Sequence, residues 1–230
     1  MKAFLLAAGV GSRLRPLTDK IPKCLVPIRG KPLLEIWLEL LQRFGISEVL
    51  INAHAHADMI GEFAARRFAA LKVMVSHEPQ LLGSAGTLRA NREWTGSDPC
   101  FWVLYADVLT NVNLEEMQKF HKERATAATL GVYSVADPSR CGIVGVAPDG
   151  RIEQFIEKPK NPSGNLAFAG ILIGTQTLMD AIPDKLPADV GFDVLPQLVG
   201  RMHAYPINDF LLDIGTLENY ERAQKSWPGC

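Results

Sequence analysis

The chain has 230 residues, 47% of them hydrophobic, enough apolar side chain to bury a full core without disulfide or metal staples. Its 24 Lys and Arg against 25 Asp and Glu leave a formal net charge of -1. The broad basic excess that grips a nucleic-acid backbone is absent, so no nucleic-acid polymer is expected as a partner.

The cysteines Cys24, Cys100, Cys141 and Cys230 are scattered, with no CxxC pair and no His at metal-ligand spacing. They read as reduced thiols of a cytoplasmic protein. The opening Met1-Lys2 and the apolar run to Ala8 have the flavour of a secretory leader. However, Gly9, Gly11, Arg13 and Arg15 follow where a longer apolar core and a small-residue cleavage site would stand. No later apolar run approaches the roughly 20 residues of a spanning helix, so neither export nor a membrane partner is expected.

Taken in order, apolar runs of strand length alternate with segments of helical period, the pattern of a parallel sheet with crossover helices. Lys2 to Ala7 reads as a buried first strand, followed by a loop carrying Pro16, Pro22 and Pro27. From Leu33 to Phe44 the residues Leu33, Ile36, Trp37, Leu40, Leu41 and Phe44 fall on one helical face, and Gly45 fits a C-terminal stop. Glu48 to Asn52 predicts a strand, Ala57 to Ala70 a helix, Lys72 to Ser76 a strand and Ala85 to Trp94 a helix. Phe101 to Tyr105 is nearly all apolar and reads as a central strand pointing at Asp107.

After an amphipathic helix over Asn113 to Arg124 the pattern turns to strands with little helix between them: Thr126 to Ser134, Gly142 to Val146, Ile152 to Glu157 and Ala167 to Ile173. Short helices at Thr175 to Ala181 and Asp193 to Val199, a strand at Phe210 to Asp213 and a helix over Leu217 to Trp227 complete the chain. The fold class is α/β: a Rossmann-like, mostly parallel sheet with flanking helices, plus a small mixed-sheet lobe. There is no internal repeat and no long polar linker, so a single domain with two lobes is the economical reading.

The stretch Leu6-Ala7-Ala8-Gly9-Val10-Gly11-Ser12-Arg13-Leu14-Arg15-Pro16-Leu17-Thr18 leaves the first strand with small residues that let backbone N–H groups approach an anion. Arg13 adds a bidentate cation for phosphate oxygens. A dinucleotide fingerprint would need a third Gly where Leu14 stands, and a Walker A loop would need a closing Gly-Lys-Ser/Thr; neither is present. Gly9 and Gly11 alone fit a structural turn equally well.

With Pro22-Lys23-Cys24-Leu25-Val26-Pro27 and Gly30-Lys31-Pro32 added, the chain resembles the nucleoside-diphosphate-sugar pyrophosphorylase family, the sugar-1-phosphate nucleotidylyltransferases. The resemblance implies that Arg13 contacts the departing pyrophosphate and Lys23 the reacting phosphates, with Leu6, Ala8, Gly9, Gly11 and Ser12 around the nucleotide. Glu78-Pro79-Gln80-Leu81-Leu82-Gly83-Ser84-Ala85-Gly86 resembles the family's base-reading loop, which implies nucleotide contacts from Glu78 or Gln80 and from Gly83, Ala85 and Gly86. Taken as local sequence, Gly83 to Gly86 also fits a helix cap.

Asp107 stands where open α/β sheets bind ligands. With Asp213 in Leu212-Asp213-Ile214-Gly215-Thr216 it is implied, by the same resemblance, to hold Mg2+ and to face the sugar phosphate. Arg140-Cys141-Gly142-Ile143-Val144, Ile156-Glu157-Lys158-Pro159 and Ala167-Phe168-Ala169-Gly170 are similar to the sugar-site segments, implying Gly142, Glu157, Lys158 and Gly170 as sugar-phosphate contacts. Phe168 departs from the Asn common at that place. The implied division is a nucleotide-binding core over 1–136 and a sugar-phosphate-binding lobe with the last helix over 137–230.

The implied reaction is nucleotidyl transfer from a nucleoside triphosphate to a sugar 1-phosphate, giving an NDP-sugar and pyrophosphate. Asp149-Gly150-Arg151-Ile152 through Glu157-Lys158-Pro159 resembles the mannose-1-phosphate guanylyltransferases most closely, which leans the expectation to GTP with mannose or heptose 1-phosphate. No hexapeptide-repeat segment, carried by many of those, follows within the sequence. A uridylyl- or thymidylyltransferase acting on glucose or N-acetylmuramate 1-phosphate is the alternative, and a silent nucleotide-sugar-binding homologue is the alternative of another class. Family members are often oligomeric, so a homo-oligomer is admissible, although no amphipathic stretch is left visibly without a partner inside the fold.

Overall fold

The computed structural model describes residues 1–68 and 71–229. Its strands are β1 (Lys2–Leu6), β2 (Pro27–Ile28), β3 (Lys31–Pro32), β4 (Glu48–Ala53), β5 (Lys72–His77), β6 (Cys100–Tyr105), β7 (Val108–Thr110), β8 (Ala128–Ser134), β9 (Gly142–Val146), β10 (Ile152–Glu157), β11 (Leu166–Thr175), β12 (Met202–Pro206) and β13 (Leu211–Asp213). Its α-helices are α1 (Leu33–Arg43), α2 (Ala57–Arg67), α3 (Ser84–Ala90), α4 (Arg92–Thr95), α5 (Leu114–Lys122), α6 (Gln176–Asp180) and α7 (Leu217–Ser226). The chain divides into two compact units, one of Met1–Leu81, Leu104–Asn113 and Asp209–Cys230, the other of Leu82–Val103 and Leu114–Asn208. The boundary falls inside β6, with residues 100–103 in the second unit and 104–105 in the first.

In the first unit β1, β4 and β5 run parallel in that order, with Phe4 beside Leu50 and Leu50 beside Met74. The amide of Ala106, just past β6, donates to the carbonyl of Leu6 (3.0 Å). The crossover α1 buries Leu33, Ile36, Trp37, Leu40 and Leu41, as its period predicts, and Trp37 Nε1 donates to the carbonyl of Val108 (2.7 Å). Gly45, at φ 71, closes it: its amide donates to Gln42 and that of Ile46 to Leu41, a paired C-terminal cap that needs a left-handed residue. The second crossover α2 ends at Arg67; the last two residues of the helix expected to Ala70 lie outside the described residues.

The proline-bearing loop holds more order than its sequence suggests. Single 3₁₀ turns form at Ser12–Leu14, Leu17–Asp19 and Lys23–Leu25, and β2 and β3 make a hairpin through Arg29 and Gly30, both at positive φ. Two side chains of α7 hold that hairpin, since Tyr220 Oη and Gln224 Nε2 both donate to the carbonyl of Pro27 (3.1 and 2.7 Å). The antiparallel pair β7 and β13 sets Asp213 opposite Val108.

The second unit is the mixed sheet expected beyond residue 126. β11 runs antiparallel to β8 and to β9, β10 antiparallel to β9, and β12 parallel to β8. Three local expectations are corrected there. The helix expected over 85–94 breaks into α3 and α4 at Asn91, whose side-chain amide donates to the carbonyl of Thr87 (2.9 Å) alongside its own backbone amide (3.2 Å). The helix expected over 193–199 starts earlier, as a π-helical turn at Val190–Val194 passing into a 3₁₀ turn at Leu195–Leu198. The unexpected β12 pairs with β8 through a five-residue run too short to show a period. No helix among the described residues is long and apolar enough to cross a membrane.

Candidate active site

In the first unit the phosphate loop leaves β1 under control of a side chain the sequence reading passed over. Asn52, on β4 and 4% exposed, accepts from the amides of Ala7 (2.6 Å) and Ala8 (3.3 Å) through Oδ1 and donates from Nδ2 to Glu78 Oε1 (2.9 Å). Glu78 is 2% exposed, so its carboxylate is buried against Asn52, whereas Gln80 two residues on is exposed. A polar residue inside the apolar run Val49-Leu50-Ile51-Asn52 was the only signal available.

The loop then folds on itself. Gly11, at φ 67, receives hydrogen bonds on its carbonyl from Leu14 N (2.9 Å) and Thr18 Oγ1 (2.8 Å). A Cβ there would stand 3.2 Å from the Cβ of Lys23, so Gly11 and Lys23 pack against each other. Leu14 is fully buried and anchors the turn, while Gly9, Ser12 and Arg13 face solvent. Arg13 reaches towards Gly215: a Cβ on that glycine would lie 3.1 Å from Arg13 Nη2 and 2.7 Å from Asp213 Oδ1.

Lys23 is 8% exposed, and its ammonium donates to Asp107 Oδ2 at 2.6 Å. A buried ammonium needs such a partner, because an unpaired charge out of water is strongly unfavourable. Next to it, burial pushes the Cys24 thiol up to about 12. Asp107 lies in the turn between β6 and β7 and Asp213 ends β13, the amide of Ile214 donating to the carbonyl of Asp107 (2.8 Å). Both carboxylates are accessible, and oxygen donors of this kind suit a hard divalent cation. Among the described residues no cluster of three or more His, Cys, Asp or Glu is assembled. Mg2+ takes only one or two carboxylates from a protein when substrate phosphates complete its shell, so the donor set fits.

The second unit carries the remaining predicted residues. Gly83, at φ 80, leaves no room for a side chain, since a Cβ would lie 2.2 Å from the carbonyl oxygen of Ala188. The amides of Ala85 and Gly86 both donate to that oxygen (3.0 and 3.1 Å), so these main-chain donors already have a partner. Ser84 Oγ donates to Asp189 Oδ2 (2.8 Å) and accepts from the amide of Val190 (2.7 Å). Asp189, unsuspected from sequence, thereby ties the Gly83–Gly86 stretch to the π-helical turn.

Gly142 on β9 lies opposite Glu157 on β10, and a Cβ there would meet Glu157 Oε2 at 2.6 Å. Gly191, also missed, would meet the same oxygen at 2.5 Å, so the carboxylate occupies a slot between two glycines. Burial raises its pKa, with the Asp189 charge adding to the rise and Lys158 opposing it. Lys158, at φ 49, lies 3.5 Å from Glu157 Oε1 and 5.4 Å from the ring centroid of Phe192. Gly170, at φ 71, sits at the irregularity of β11 between Phe168 and Leu172. Phe168 packs edge-on to Phe155 (6.3 Å).

A family model described as nucleotidyl transferase matches residues 2–228. The chain belongs to the nucleotidyl transferase family. Mannose-1-phosphate guanylyltransferase catalytic subunit beta of Xenopus tropicalis is 34% identical over 227 residues, 96% of this chain. Mannose-1-phosphate guanylyltransferase 1 of Arabidopsis thaliana is also 34% identical, over 228 residues. The chain spans 62% and 63% of the length of these two relatives. Among solved structures, HddC from Yersinia pseudotuberculosis complexed with GMP-PN superposes with a TM-score of 0.81 at 24% identity, over 98% of this chain and 99% of that one. A putative glucose-1-phosphate thymidylyltransferase from Bacillus anthracis gives 0.86 at 21% identity, over 98% and 94%. Both neighbours share the mixed α/β fold described above.

Proposed function

We propose that the chain transfers a nucleotidyl group from a nucleoside triphosphate to a sugar 1-phosphate, releasing pyrophosphate, with GTP and mannose or heptose 1-phosphate as the favoured pair. The observation that carries this is the Lys23 ammonium set 2.6 Å from Asp107 inside the phosphate loop's packing, with Arg13 and Asp213 both facing Gly215. Family membership and the guanylyltransferase relatives support the same choice.

The reaction is an in-line displacement. An oxygen of the sugar phosphate forms a bond to the α-phosphorus as the bond to the pyrophosphate oxygen breaks, and no proton needs to be moved. Catalysis then rests on aligning two anions and neutralising them. Arg13 holds the pyrophosphate oxygens, Lys23 the α-phosphate and Lys158 the incoming phosphate, while Glu157 accepts from sugar hydroxyls. Mg2+, when held by Asp107 and Asp213, supplies further charge neutralisation at the phosphates. The nucleotide side draws on the core over 1–136 with Asp213 added, and the sugar-phosphate side on Gly142, Glu157, Lys158 and Gly170. A cytoplasmic location goes with Cys24, Cys100 and Cys141 standing as thiols outside any disulfide.

A pyrimidine triphosphate is the second reading, favoured by one observation. Glu78 is buried on Asn52, so the exposed edge group of that loop is the Gln80 amide, which suits uracil or thymine as well as guanine. Pyrophosphate release measured over a full matrix of triphosphates against sugar 1-phosphates decides between them. Turnover greatest with GTP and mannose or heptose 1-phosphate is expected. Turnover greatest with UTP or dTTP selects the second reading, and no release with any pair leaves a binding protein.

A further inference from the structure

The π-helical turn Val190–Val194 is held by carboxylates at both ends. Asp189 Oδ1 accepts from the amide of Phe192 (3.0 Å), Asp193 Oδ2 accepts from the amide of Asp189 (2.8 Å), and Lys185 pairs with Asp193 (2.7 Å). Val190 and Val194 are fully buried, and the carboxylate of Glu157 fills the space beside Gly191. Yet this fixed turn holds an aromatic side chain out in water: Phe192 is 56% exposed. An apolar ring in that position forfeits the burial that normally repays an aromatic residue, so the turn is spending rigidity on presenting it.

What it is presented beside is informative. The Lys158 ammonium stands over the Phe192 ring, and Glu157, one residue away in the chain, abuts Gly191, the neighbour of Phe192. A cation, a hydroxyl acceptor and an apolar ring face therefore share one patch of the second unit. A monosaccharide phosphate presents the complementary set: a dianion, hydroxyl groups on the ring edge, and a face of C–H groups. Binding sites for small polar ligands combine a few oriented polar groups with an aromatic wall in this way.

We propose that Phe192 is a specificity-determining residue for the acceptor, its ring packing against the C–H face of the sugar whose 1-phosphate Lys158 holds. The inference rests on Glu157 and Lys158 forming the sugar-phosphate site. It goes beyond that assignment by making the ring, rather than the charged pair, the element that separates one sugar from another with the same phosphate. Because Phe192 is exposed and its turn is anchored by other residues, its replacement leaves the fold intact.

The test compares the full chain with Phe192→Ala and Phe192→Tyr, using α-mannose 1-phosphate as acceptor, GTP as donor and inorganic phosphate as competitor. Phe192→Ala is expected to raise KM for mannose 1-phosphate about tenfold, with KM for GTP and inhibition by inorganic phosphate changed less than about twofold. Phe192→Tyr is expected to stay within about twofold of the parent. If Phe192→Ala weakens inorganic phosphate and mannose 1-phosphate equally, the ring only holds Lys158 and the proposal is overturned. An unchanged KM with an altered oligomeric state, read by light scattering, overturns it in favour of a protein contact. Absence of turnover by the parent chain with every acceptor overturns the functional reading itself, an outcome distinct from an unchanged KM in an active enzyme.

Discussion

The ammonium of Lys23 and Oδ2 of Asp107 are 2.6 Å apart, so the cation assigned to the reacting phosphates neutralises a carboxylate assigned to the metal. Triphosphate oxygens and a divalent cation would each take one partner of that pair. Lys23→Ala is therefore expected to lower kcat by about 100-fold or more while KM for the sugar phosphate moves less than about twofold. Initial rates over both substrates check this, and a Lys23→Ala enzyme of parental kcat would remove Lys23 from the chemistry. Asp107→Asn has a second consequence, a lower Tm, because it strips a buried ammonium of its counter-charge.

Gly215 separates Arg13 from Asp213. A Cβ there would lie 2.7 Å from the carboxylate and 3.1 Å from the guanidinium, both ends of side chains that can swing away. Gly215→Ala should cost little stability yet displace both groups, with kcat falling about tenfold or more and the divalent-cation concentration for half-maximal rate rising. Circular dichroism melting alongside a metal titration of the rate distinguishes this from simple unfolding.

Asn52, on β4, hydrogen-bonds both the start of the loop that leaves β1 and Glu78 just past β5. Replacing it by Leu removes the acceptor of the Ala7 and Ala8 amides and the hydrogen bond to Glu78, a loss of roughly 2–4 kcal/mol. Urea denaturation should register it, and KM for the triphosphate should rise while KM for the sugar phosphate does not. A triphosphate KM equal to the parent's would show that the loop holds its shape without Asn52.

Glu157 has a pKa raised by burial, with Asp189 assisting and Lys158 opposing. A carboxyl that binds its proton more tightly folded than unfolded stabilises the fold below the ordinary glutamate range, and that contribution is lost as pH rises through the raised value. Glu157→Gln is accordingly expected to raise Tm at neutral pH, by an amount that shrinks towards zero in acid, while raising KM for the sugar phosphate. In the parent, KM for the sugar phosphate should climb as pH falls through the raised value, and this limb should flatten in Glu157→Gln. A Tm difference independent of pH would contradict the assignment.

Legibility from sequence followed the range of the forces involved. The period of α1 and its Gly45 stop are local properties, and the run Phe101 to Tyr105 announces a central strand by composition alone. The π-helical turn and β12 are decided by partners distant in sequence, namely the Ser84–Asp189 network and the pairing with β8, while the break at Asn91 depends on how its own side chain settles on the carbonyl four residues back. The same holds for the candidate site. Arg13, Lys23, Asp107 and Asp213 stand out in the sequence because each sits in a motif that resembles one of the family's. Asn52, Gly191 and Phe192 do not, because each acquires meaning only from what the fold sets beside it. Glu78 shows both sides: its motif singles it out, and only the fold reveals the Asn52 amide against its carboxylate.

The thiol beside Lys23 has a practical corollary. With its pKa pushed up by burial to about 12, Cys24 stays a protonated thiol at neutral pH. Alkylating reagents and peroxide thus meet no nucleophile in the phosphate loop, and the enzyme should tolerate iodoacetamide there without a reductant.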